Sequence, residues 1–296
     1  MVNSRRERTD LASAFIRLGA RDNFYQSAAF IPMSFALVTT VSKNGETGIG
    51  PHALCFPFSV SAPYSMLLIS RGNSGTATNL RRSGQCALNY IEFDQDALES
   101  VAKLGYPGQA AEVKRSSNPF TLIPSPTGAQ GDLRPRIIAE AFQVIECTWD
   151  ASVKLGDGTP NEMEHGPSRF VLQIDHILLR EEFSRGCTDG SLFPNMPIFY
   201  GFRAGGQFWF AGHAPPFPVA APAPADGSIQ AAKYLASRLD DTIRFTDDAC
   251  VELAKIPRPF LSGAMQKLIG EARQHNRSLI DAQFMRAVRE QSRETT

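Results

Sequence analysis

The sequence lacks several features that would point to common classes of partner. Its 30 lysines and arginines are balanced by 30 aspartates and glutamates, so net charge gives no attraction to nucleic acid or to an anionic membrane. No apolar run approaches the roughly 18 residues of a membrane span, and the N-terminal stretch MVNSRRERTD has no apolar segment behind its charges. We therefore expect a cytoplasmic protein with a small-molecule partner, and neither nucleic acid nor a membrane.

Cysteine and histidine are sparse, and neither forms a ligand pattern. The five cysteines are far apart and show no CxxC pair; they are Cys55, Cys86, Cys147, Cys187 and Cys250. Most have apolar neighbours, as small hydrophobic residues do, which favours a reducing compartment. The five histidines show no metal-ligand spacing with one another or with the cysteines. The sequence predicts no metal site and no Ser-His-Asp triad, and it leaves any catalytic acid or base unidentified.

The first third of the chain indicates one helix followed by strands. Leu11, Phe15 and Leu18 recur at helical spacing in residues 5–20, which predicts an amphipathic helix. Residues 30–93 contain short segments rich in β-branched and aromatic residues between Gly, Asn and Pro, namely SFALVTTVS, HALCFPFSV, YSMLLIS and CALNYIEF. These segments are typical of strands. The Asn-Gly pair in NGETG favours a hairpin between the first two.

In the rest of the chain, the residue composition and the hydrophobic periodicity change twice. Residues 94–168 indicate an elaborated surface loop region, interrupted by the strand-like RIIAEAFQVIECTW. RFVLQIDHILLREEF predicts a further strand, and IFYGFRAGGQFWFAG predicts a hairpin that turns at Gly205 and Gly206. A stretch rich in Pro and Ala then predicts an extended linker, and beyond it apolar residues recur at helical spacing. The predicted organisation is an N-terminal helix (1–23), a mainly β domain (24–213), a linker (214–228) and a helical C-terminal module (229–296).

The stretch RGNSGTATNL, residues 71–80, collects many hydrogen-bond donors around two glycines. Ser, Thr and Asn are the usual turn and N-cap residues, so the stretch is explained by a turn that leads into a helix. The same residues also suit an anion site, because amides at a helix start, hydroxyl groups and the Arg71 guanidinium together hold a phosphate. Both interpretations are open from these ten residues alone.

The order of the pieces resembles the flavin reductase-like family, whose fold is a split β-barrel that binds FMN. The matching positions occur in register over residues 24–213, with a weak match from about 94 to 130; they are Pro32, Thr39, Thr40, Gly45, Pro51, Ser61, Pro63, Thr76, Asn79, Gly84 and Asn89. RPRIIAEAFQVIECTW is similar to the family strand with Glu-x-Ala and Glu-Cys. The resemblance implies a mainly β, FMN-binding split barrel with flanking helices, to which the C-terminal helices are a small appendage.

The resemblance also implies which residues contact FMN. The loop with Thr76 and Asn79 takes the phosphate in this family, and here Ser74 adds a donor while Arg71 or Arg81 offsets charge. The strand that follows the hairpin runs beside the isoalloxazine ring, as an apolar wall with backbone donors. That segment consists of Pro51, His52, Ala53, Leu54 and Cys55. Thr39, at the end of the first strand, completes the expected cofactor-binding set.

Two departures from the family pattern concern the chemistry. Members that use nicotinamide cofactors often carry Gly-Asp-His before the strand that matches FVLQIDHI, and here PSRF places Phe170 where that His would stand. His176 lies farther along and is interpreted as a core or edge histidine. Ala53 stands where the family has a Ser in Pro-x-Ser, which removes a hydroxyl near the flavin edge. Because the family histidine is replaced by Phe170, a group that could orient a nicotinamide is missing.

These observations predict an FMN-dependent oxidoreductase that transfers hydride from NADH or NADPH. Two alternatives stay open, an FMN enzyme that acts directly on a planar organic substrate and a flavin-binding or interaction protein without turnover. A homodimer is expected, because in this family the flavin lies at a subunit interface. The C-terminal stretch from FTDDACVELAKIPRPF onward is similar to a helical module of a protochlorophyllide reductase subunit, and we interpret it as a packing or dimer-capping piece.

Overall fold

The computed structural model describes residues 15–20, 23–60, 62–106, 111–116, 118–128, 133–153, 167–203, 206–219 and 226–294. Contacts between Cα atoms divide the chain into two compact units, one that ends at Pro216 and one that begins at Phe217. Each unit buries apolar residues of its own.

The first unit is mainly β. Its strands are β1 (Ala36–Val41), β2 (Thr47–His52), β3 (Cys55–Ser59), β4 (Ser65–Arg71), β5 (Gln85–Tyr90), β6 (Leu122–Ile123), β7 (Ile137–Ile138), β8 (Gln143–Trp149), β9 (Pro167–Leu179), β10 (Ile198–Arg203) and β11 (Gln207–Ala211). Its helices are α1 (Phe24–Ser27), α2 (Gly75–Ser83), α3 (Gln95–Gly105), α4 (Ala111–Ser116), α5 (Glu181–Ser184) and α6 (Gly186–Asp189).

Seven of these strands form one antiparallel sheet, in the order β2-β1-β5-β8-β9-β4-β3. Strand β2 also contacts β4, although β1, β5, β8 and β9 lie between them in the sheet. The sheet therefore curls until its two ends approach each other. This is the half-barrel sheet with flanking helices that the split β-barrel prediction requires, and the predicted fold class is confirmed.

The two faces of the sheet are buried in two separate cores, because side chains alternate along each strand. The first core consists of Phe35, Leu37, Ala87, Ile91, Leu98, Val101, Leu104, Phe120, Ile137, Ile138, Ala141, Val144 and Phe199. The second core consists of Ala36, Val38, Cys55, Met66, Leu68, Ala77, Leu80, Cys86, Leu88, Ile145, Cys147, Phe170 and Leu172. Strand β1 is buried along its whole length because it contributes to both.

Helix α2 covers the face of the sheet that belongs to the second core. Its buried residues Thr76, Ala77, Leu80 and Ser83 lie on one side of the helix, at the spacing that a packed helix requires. The helix ends at Gly84, which has a φ of 68° and donates its amide to the carbonyl of Leu80. Glycine adopts this left-handed conformation without strain, which explains why the helix ends at Gly84.

The second unit is helical. It contains α7 (Asp226–Leu239), β12 (Arg244–Phe245), α8 (Asp247–Leu253), α9 (Arg258–Gln274), β13 (Leu279–Ile280) and α10 (Ala282–Glu294). Its apolar side chains form a third core, which consists of Ala232, Ala236, Ile243, Cys250, Leu253, Leu261, Met265, Leu268, Ile269, Ala272, Ile280, Phe284 and Val288. The parallel pairing of β12 with β13 was not predicted, because two-residue strands leave no periodic pattern.

Both predicted hairpins are present. Strands β1 and β2 pair antiparallel around Gly45, which has a φ of 78°, and β10 pairs with β11. In the second hairpin Gly206 has a φ of 77°, while Gly205 lies outside the described residues. The period-two pattern and the turn glycines therefore sufficed to predict these elements.

Three predicted elements differ from the structure. Residues 15–20 have no regular structure and expose Phe15 and Leu18, so the predicted N-terminal helix is wrong there; its residues 5–14 lie outside the described ranges. An amphipathic helix needs a surface on which to bury its apolar face. Helix α7 begins at Asp226, within the predicted linker. The predicted loop region 94–168 contains α3, whose apolar side chains belong to the first core.

Several general properties bear on location and chemistry. All five cysteines lie in the described part of the chain and are free, and four of them are buried. No helix there has both the length and the apolar composition needed to cross a bilayer. The same residues contain no group of three or more His, Cys, Asp or Glu side chains arranged to hold a metal ion.

Candidate functional site

Strand β2 and the start of helix α2 approach each other closely. The register pairs Thr40 with Gly48 and Val38 with Gly50, so both glycines lie on the sheet face that α2 covers. A Cβ atom at Gly50 would lie 2.5 Å from Thr76 Oγ1, whereas one at Gly48 would lie 3.9 Å from Asn79 Nδ2. Glycine at position 50 is therefore what allows the helix to reach the strand.

The N-terminus of helix α2 begins at Ser74, which caps it. The Ser74 hydroxyl accepts a hydrogen bond of 3.0 Å from the amide of Ala77 and lies 2.7 Å from the hydroxyl of Ser70. Arg81 holds the preceding turn, because its guanidinium donates to the carbonyl of Gly72 at 2.6 Å and to the hydroxyl of Ser168 at 2.8 Å. The turn interpretation of this stretch is thus correct, and the anion interpretation depends on what faces the cavity.

Two threonines at the contact between α2 and the sheet are each held by a neighbouring side chain. Thr76 Oγ1 lies 3.1 Å from Nε2 of His52, which is the last residue of β2. Asn79 Nδ2 donates a hydrogen bond of 3.1 Å to Oγ1 of Thr40. When His52 and Asn79 act as donors, each threonine keeps its own hydroxyl proton for a further acceptor. The arrangement suits an incoming group that is rich in acceptor oxygens.

These residues border a cavity of about 650 Å³. Its walls come from the end of β1, from β2, and from the turn and first residues of α2. A further wall runs from the end of α3 through α4 to β6. The lining residues are Thr40, Ser42, Thr47, Gly48, Ile49, Gly50, Pro51, His52, Arg71, Asn73, Ser74, Gly75, Thr76, Asn79, Leu104, Gly105, Lys114, Asn118 and Leu122. A volume of this size lies within the usual range for cofactor sites, which is roughly 300 to 1,000 Å³.

The charges that line the cavity have one sign. Arg71 and Lys114 line it, and the described lining residues include no carboxylate. Desolvation, and after it the charge of Arg71, lower the pKa of His52 to about 4, so this imidazole is neutral at neutral pH. The same two causes, in the same order, lower the pKa of Lys114. A bound anion would raise both pKa values, because its negative charge favours the protonated forms of His52 and Lys114. The cavity is therefore suited to an anion.

Six of the ten residues predicted to bind the cofactor line this cavity, namely Pro51, His52, Arg71, Ser74, Thr76 and Asn79. Thr39 does not, because alternation along β1 turns it to the opposite face. There it is buried, its hydroxyl bonds to the carbonyl of Ala87, and it accepts from Asn89. Thr40, the next residue, lines the cavity instead.

The other three predicted residues, Ala53, Leu54 and Cys55, also lie away from the cavity. Ala53 packs against the first core, and the carbonyl of Leu54 accepts from the amide of Ile69 at 2.9 Å. Cys55 is buried in the second core, where desolvation and then the neighbouring Cys147 raise its pKa to about 12. Strand β2 ends at His52, and the chain bends at Ala53 before β3 begins at Cys55.

The sequence interpretation missed one whole wall of the cavity. Leu104, Gly105, Lys114, Asn118 and Leu122 lie in the region that was taken for surface loop. A usable signal was present at its start, since Asp94 precedes apolar residues at helical spacing. The Asp94 carboxylate does cap α3, by accepting from the amide of Ala97 at 2.8 Å.

Phe170, at the position of the family histidine, and His176, farther along the same strand, both lie outside the cavity. Phe170 is fully buried in the second core, where its ring meets that of Trp149 edge-on at 5.3 Å. His176 is on strand β9, and its Nδ1 atom lies 3.3 Å from Oε2 of the buried Glu146. Glu146 also accepts from the hydroxyl of Thr127 at 3.0 Å. His176 is therefore a partly exposed histidine at the sheet surface, and Phe170 is a core residue.

A curled antiparallel sheet with flanking helices and an anion-receptive cavity beside one helix N-terminus define a split β-barrel protein of the flavin-binding class. The sequence model of the flavin reductase like domain matches residues 28–185, which is more than half of the chain. The chain therefore belongs to the flavin reductase-like family, whose members are typically flavin oxidoreductases. A search of curated proteins finds no significant match.

Several solved structures are similar at low identity. Flavoredoxin of Desulfovibrio vulgaris (Miyazaki F) is 18% identical with a TM-score of 0.49, over 72% of this chain and 99% of that chain. Nitrilotriacetate monooxygenase component B from Bacillus cereus is 16% identical with a TM-score of 0.49, over 69% and 100%. The 2-nitrobenzoate 2-nitroreductase of Pseudomonas fluorescens is 18% identical with a TM-score of 0.48, over 65% and 86%. At this similarity none of them indicates what the present chain binds or does.

Proposed function

We propose that this protein is an FMN-dependent oxidoreductase that takes hydride from NADH or NADPH. The observation that supports the proposal is the cavity itself, in which hydroxyl, amide and cationic groups meet at the N-terminus of α2 without a lining carboxylate among the described residues. Family membership supports a flavin-related oxidoreductase. The choice of FMN rests on the match between these groups and a phosphate.

The lining residues fit a flavin phosphate in number and kind. A phosphate monoester presents several acceptor oxygens and up to two negative charges. Ser74, Thr76 and Asn79 would hold it together with the free amides of the first turn, and Arg71 would offset its charge. Thr40 would add a further hydroxyl donor. FMN, when bound, supplies reversible acceptance and donation of hydride.

The remaining lining groups would receive the less polar part of the cofactor. Pro51, Leu104 and Leu122 offer apolar surface, and the backbone of β2 lines the cavity at Gly48 and Gly50. The neutral His52 would face this part of the cavity without adding charge. The protein would thus bind, orient and enclose the flavin, while its own side chains supply no identified acid or base.

A second candidate is an FMN enzyme that acts directly on a planar organic substrate. The burial of Phe170 favours it, since the residue at the position of the family histidine is 0% exposed and cannot touch a nicotinamide. Phe170 therefore offers no exposed face on which a nicotinamide could stack. A third possibility is a flavin-binding protein without turnover. Measurement of flavin reduction distinguishes it from both enzymes.

Flavin titration tests the proposal. Purified protein should bind FMN, and Thr76→Ala combined with Asn79→Ala should weaken binding at least tenfold, because each side chain would lose a hydrogen bond to a charged group of about 1.5 to 3 kcal/mol. Thr78→Ala is the matched control, since Thr78 is an exposed residue on the same helix outside the cavity. Unchanged FMN affinity in the double variant would refute the assignment of the phosphate to this turn.

Anaerobic stopped-flow reduction separates the candidates. FMN-loaded protein should be bleached by NADH or NADPH, but slowly, because a nicotinamide that is not held in register can react on the order of a hundredfold more slowly. Rapid and saturable bleaching would show that the missing histidine is dispensable. No bleaching at millimolar nucleotide would favour the organic substrate, and no reduction by any donor would favour a binding protein.

We further propose a homodimer in the cytoplasm. Strand β3 is an edge of the sheet, and Phe56 and Phe58 on it, with Val60 after it, are exposed in the single chain. A subunit interface would cover such apolar side chains. Light scattering should then give about twice the chain mass of 32.4 kDa. For the C-terminal unit we propose packing or capping of the dimer, and its similarity to the protochlorophyllide reductase module stays a prediction.

A further inference from the structure

One wall of the cavity comes from the segment in which the resemblance to the family is weakest. Helix α3 is fixed in place by Leu98, Val101 and Leu104, which are buried in the first core. The end of α3 also packs tightly on strand β2, since a Cβ atom at Gly105 would lie 3.0 Å from Cγ of Pro51. The carbonyl groups at this helix end therefore have a defined position beside the cavity.

Lys114, on α4, is attached to this helix end. Its ammonium donates a hydrogen bond of 2.7 Å to the carbonyl of Leu104, and the residue is partly buried at the cavity wall. The favourable interaction of a cation with a helix C-terminus would by itself explain the bond. If Lys114 only stabilised the C-terminus of α3, however, it would not need to line the cavity.

Arg71 lines the same cavity as Lys114, and its charge is the second cause, after desolvation, that lowers the pKa of the lysine. Two like charges beside one cavity repel each other. A dianion between them would turn this repulsion into two attractions. The two cations belong to different elements, since Arg71 ends β4 and Lys114 lies on α4.

We infer that Lys114 and Arg71 together form a two-cation clamp for a phosphate monoester dianion, and that Lys114 determines the selection of a phosphorylated flavin over the same flavin without phosphate. This inference rests on the proposed function, because it assigns the phosphate to the cavity. It adds a specificity-determining residue from a segment in which the family resemblance is weak.

The test compares FMN with riboflavin, which differ only in the phosphate. Dissociation constants are measured by flavin fluorescence for the full chain, for Lys114→Gln, for the charge-preserving Lys114→Arg and for Lys103→Gln. Lys103 is the matched control, since it is an exposed lysine in the last turn of α3 that does not line the cavity. The thermal unfolding of each variant without ligand reports any structural effect.

Lys114→Gln should weaken FMN binding about tenfold or more and leave riboflavin binding unchanged, because a hydrogen bond to a charged group is lost. Lys114→Arg should keep most of the preference for FMN, and Lys103→Gln should keep all of it. Equal losses for both flavins, or no loss for either, would overturn the inference while the flavin function stands. A wild-type chain that binds neither flavin would overturn the proposed function, and the inference with it.

Discussion

At position 50 the absence of a side chain allows helix α2 to approach strand β2. The Cβ atom of an alanine would lie 2.5 Å from Thr76 Oγ1 and 3.2 Å from His52 Nε2, so the Thr76 side chain or the helix that carries it would have to shift. We expect Gly50→Ala to destabilise the first unit by about 1 to 3 kcal/mol, as overpacking does. The variant should also bind FMN less tightly, because Thr76 is displaced.

Gly48→Ala provides the control for this prediction. Position 48 lies on the same face of the same strand, but a Cβ atom there would be 3.9 Å from Asn79 Nδ2, an ordinary contact distance. Both tryptophans of the chain, Trp149 and Trp209, belong to the first unit, so their fluorescence in urea follows its unfolding. Equal stability of the two variants would show that Thr76 of α2 does not pack this closely against Gly50 of β2.

His52 makes the stability of the first unit depend on pH. Desolvation and Arg71 lower its pKa to about 4, below the ordinary value of 6.5 that it regains on unfolding. As pH falls below 6.5, the unfolded chain therefore binds a proton that the folded chain does not, and stability is lost until about pH 4. The difference between the two pKa values corresponds to at most roughly 3 kcal/mol.

A glutamine at position 52 should remove this part of the pH dependence. It does not titrate, and its amide can still donate toward Thr76. Urea unfolding followed by tryptophan fluorescence at pH 7.5 and pH 4.5 should show a smaller loss of stability for His52→Gln than for the unchanged chain. The same loss in both would mean that other groups dominate this range and that His52 is more accessible to water.

At the scale of the element, the N-terminus of α2 can be tested for two separate roles. Ser74 caps α2 and Asp94 caps α3, each by accepting from the amide three residues later. Ser74→Ala and Asp94→Ala should therefore each cost about 1 kcal/mol of stability. Only Ser74→Ala should also weaken FMN binding, by about fivefold or more, because Ser74 lines the cavity. Unchanged FMN affinity would leave Ser74 with the capping role alone.

The same elements show how far the sequence predicts the site. Ser74, Thr76 and Asn79 are local to one helix start, so their shared position follows from the chain itself. Whether Thr39 or Thr40 faces them depends on the phase of a strand that is buried on both faces, where hydrophobic alternation gives no signal. The contribution of Lys114 depends on where α3 packs, which is a tertiary property that no local pattern contains.

At the scale of the whole molecule, the cores determine how independent the two units are. The members of the first and second cores lie between Phe35 and Phe199, and those of the third lie between Ala232 and Val288. Among the residues that the structure describes, the cores share no member between the units, so each unit has the apolar interior that a domain needs. The lining residues of the cavity that the structure describes all belong to the first unit as well.

A chain that ends at Pro216 should therefore fold and bind FMN like the full chain. Its sheet, both of its cores and every described lining residue are retained, and the cut falls at the division between the units. The urea midpoint from tryptophan fluorescence should be unchanged, since both tryptophans remain. The FMN dissociation constant should agree with that of the full chain within about twofold, a difference of only about 0.4 kcal/mol. If the truncated chain were insoluble, or if it folded without binding FMN, then the helical unit would be needed to maintain the cavity, and the two units would have to be treated as one functional domain.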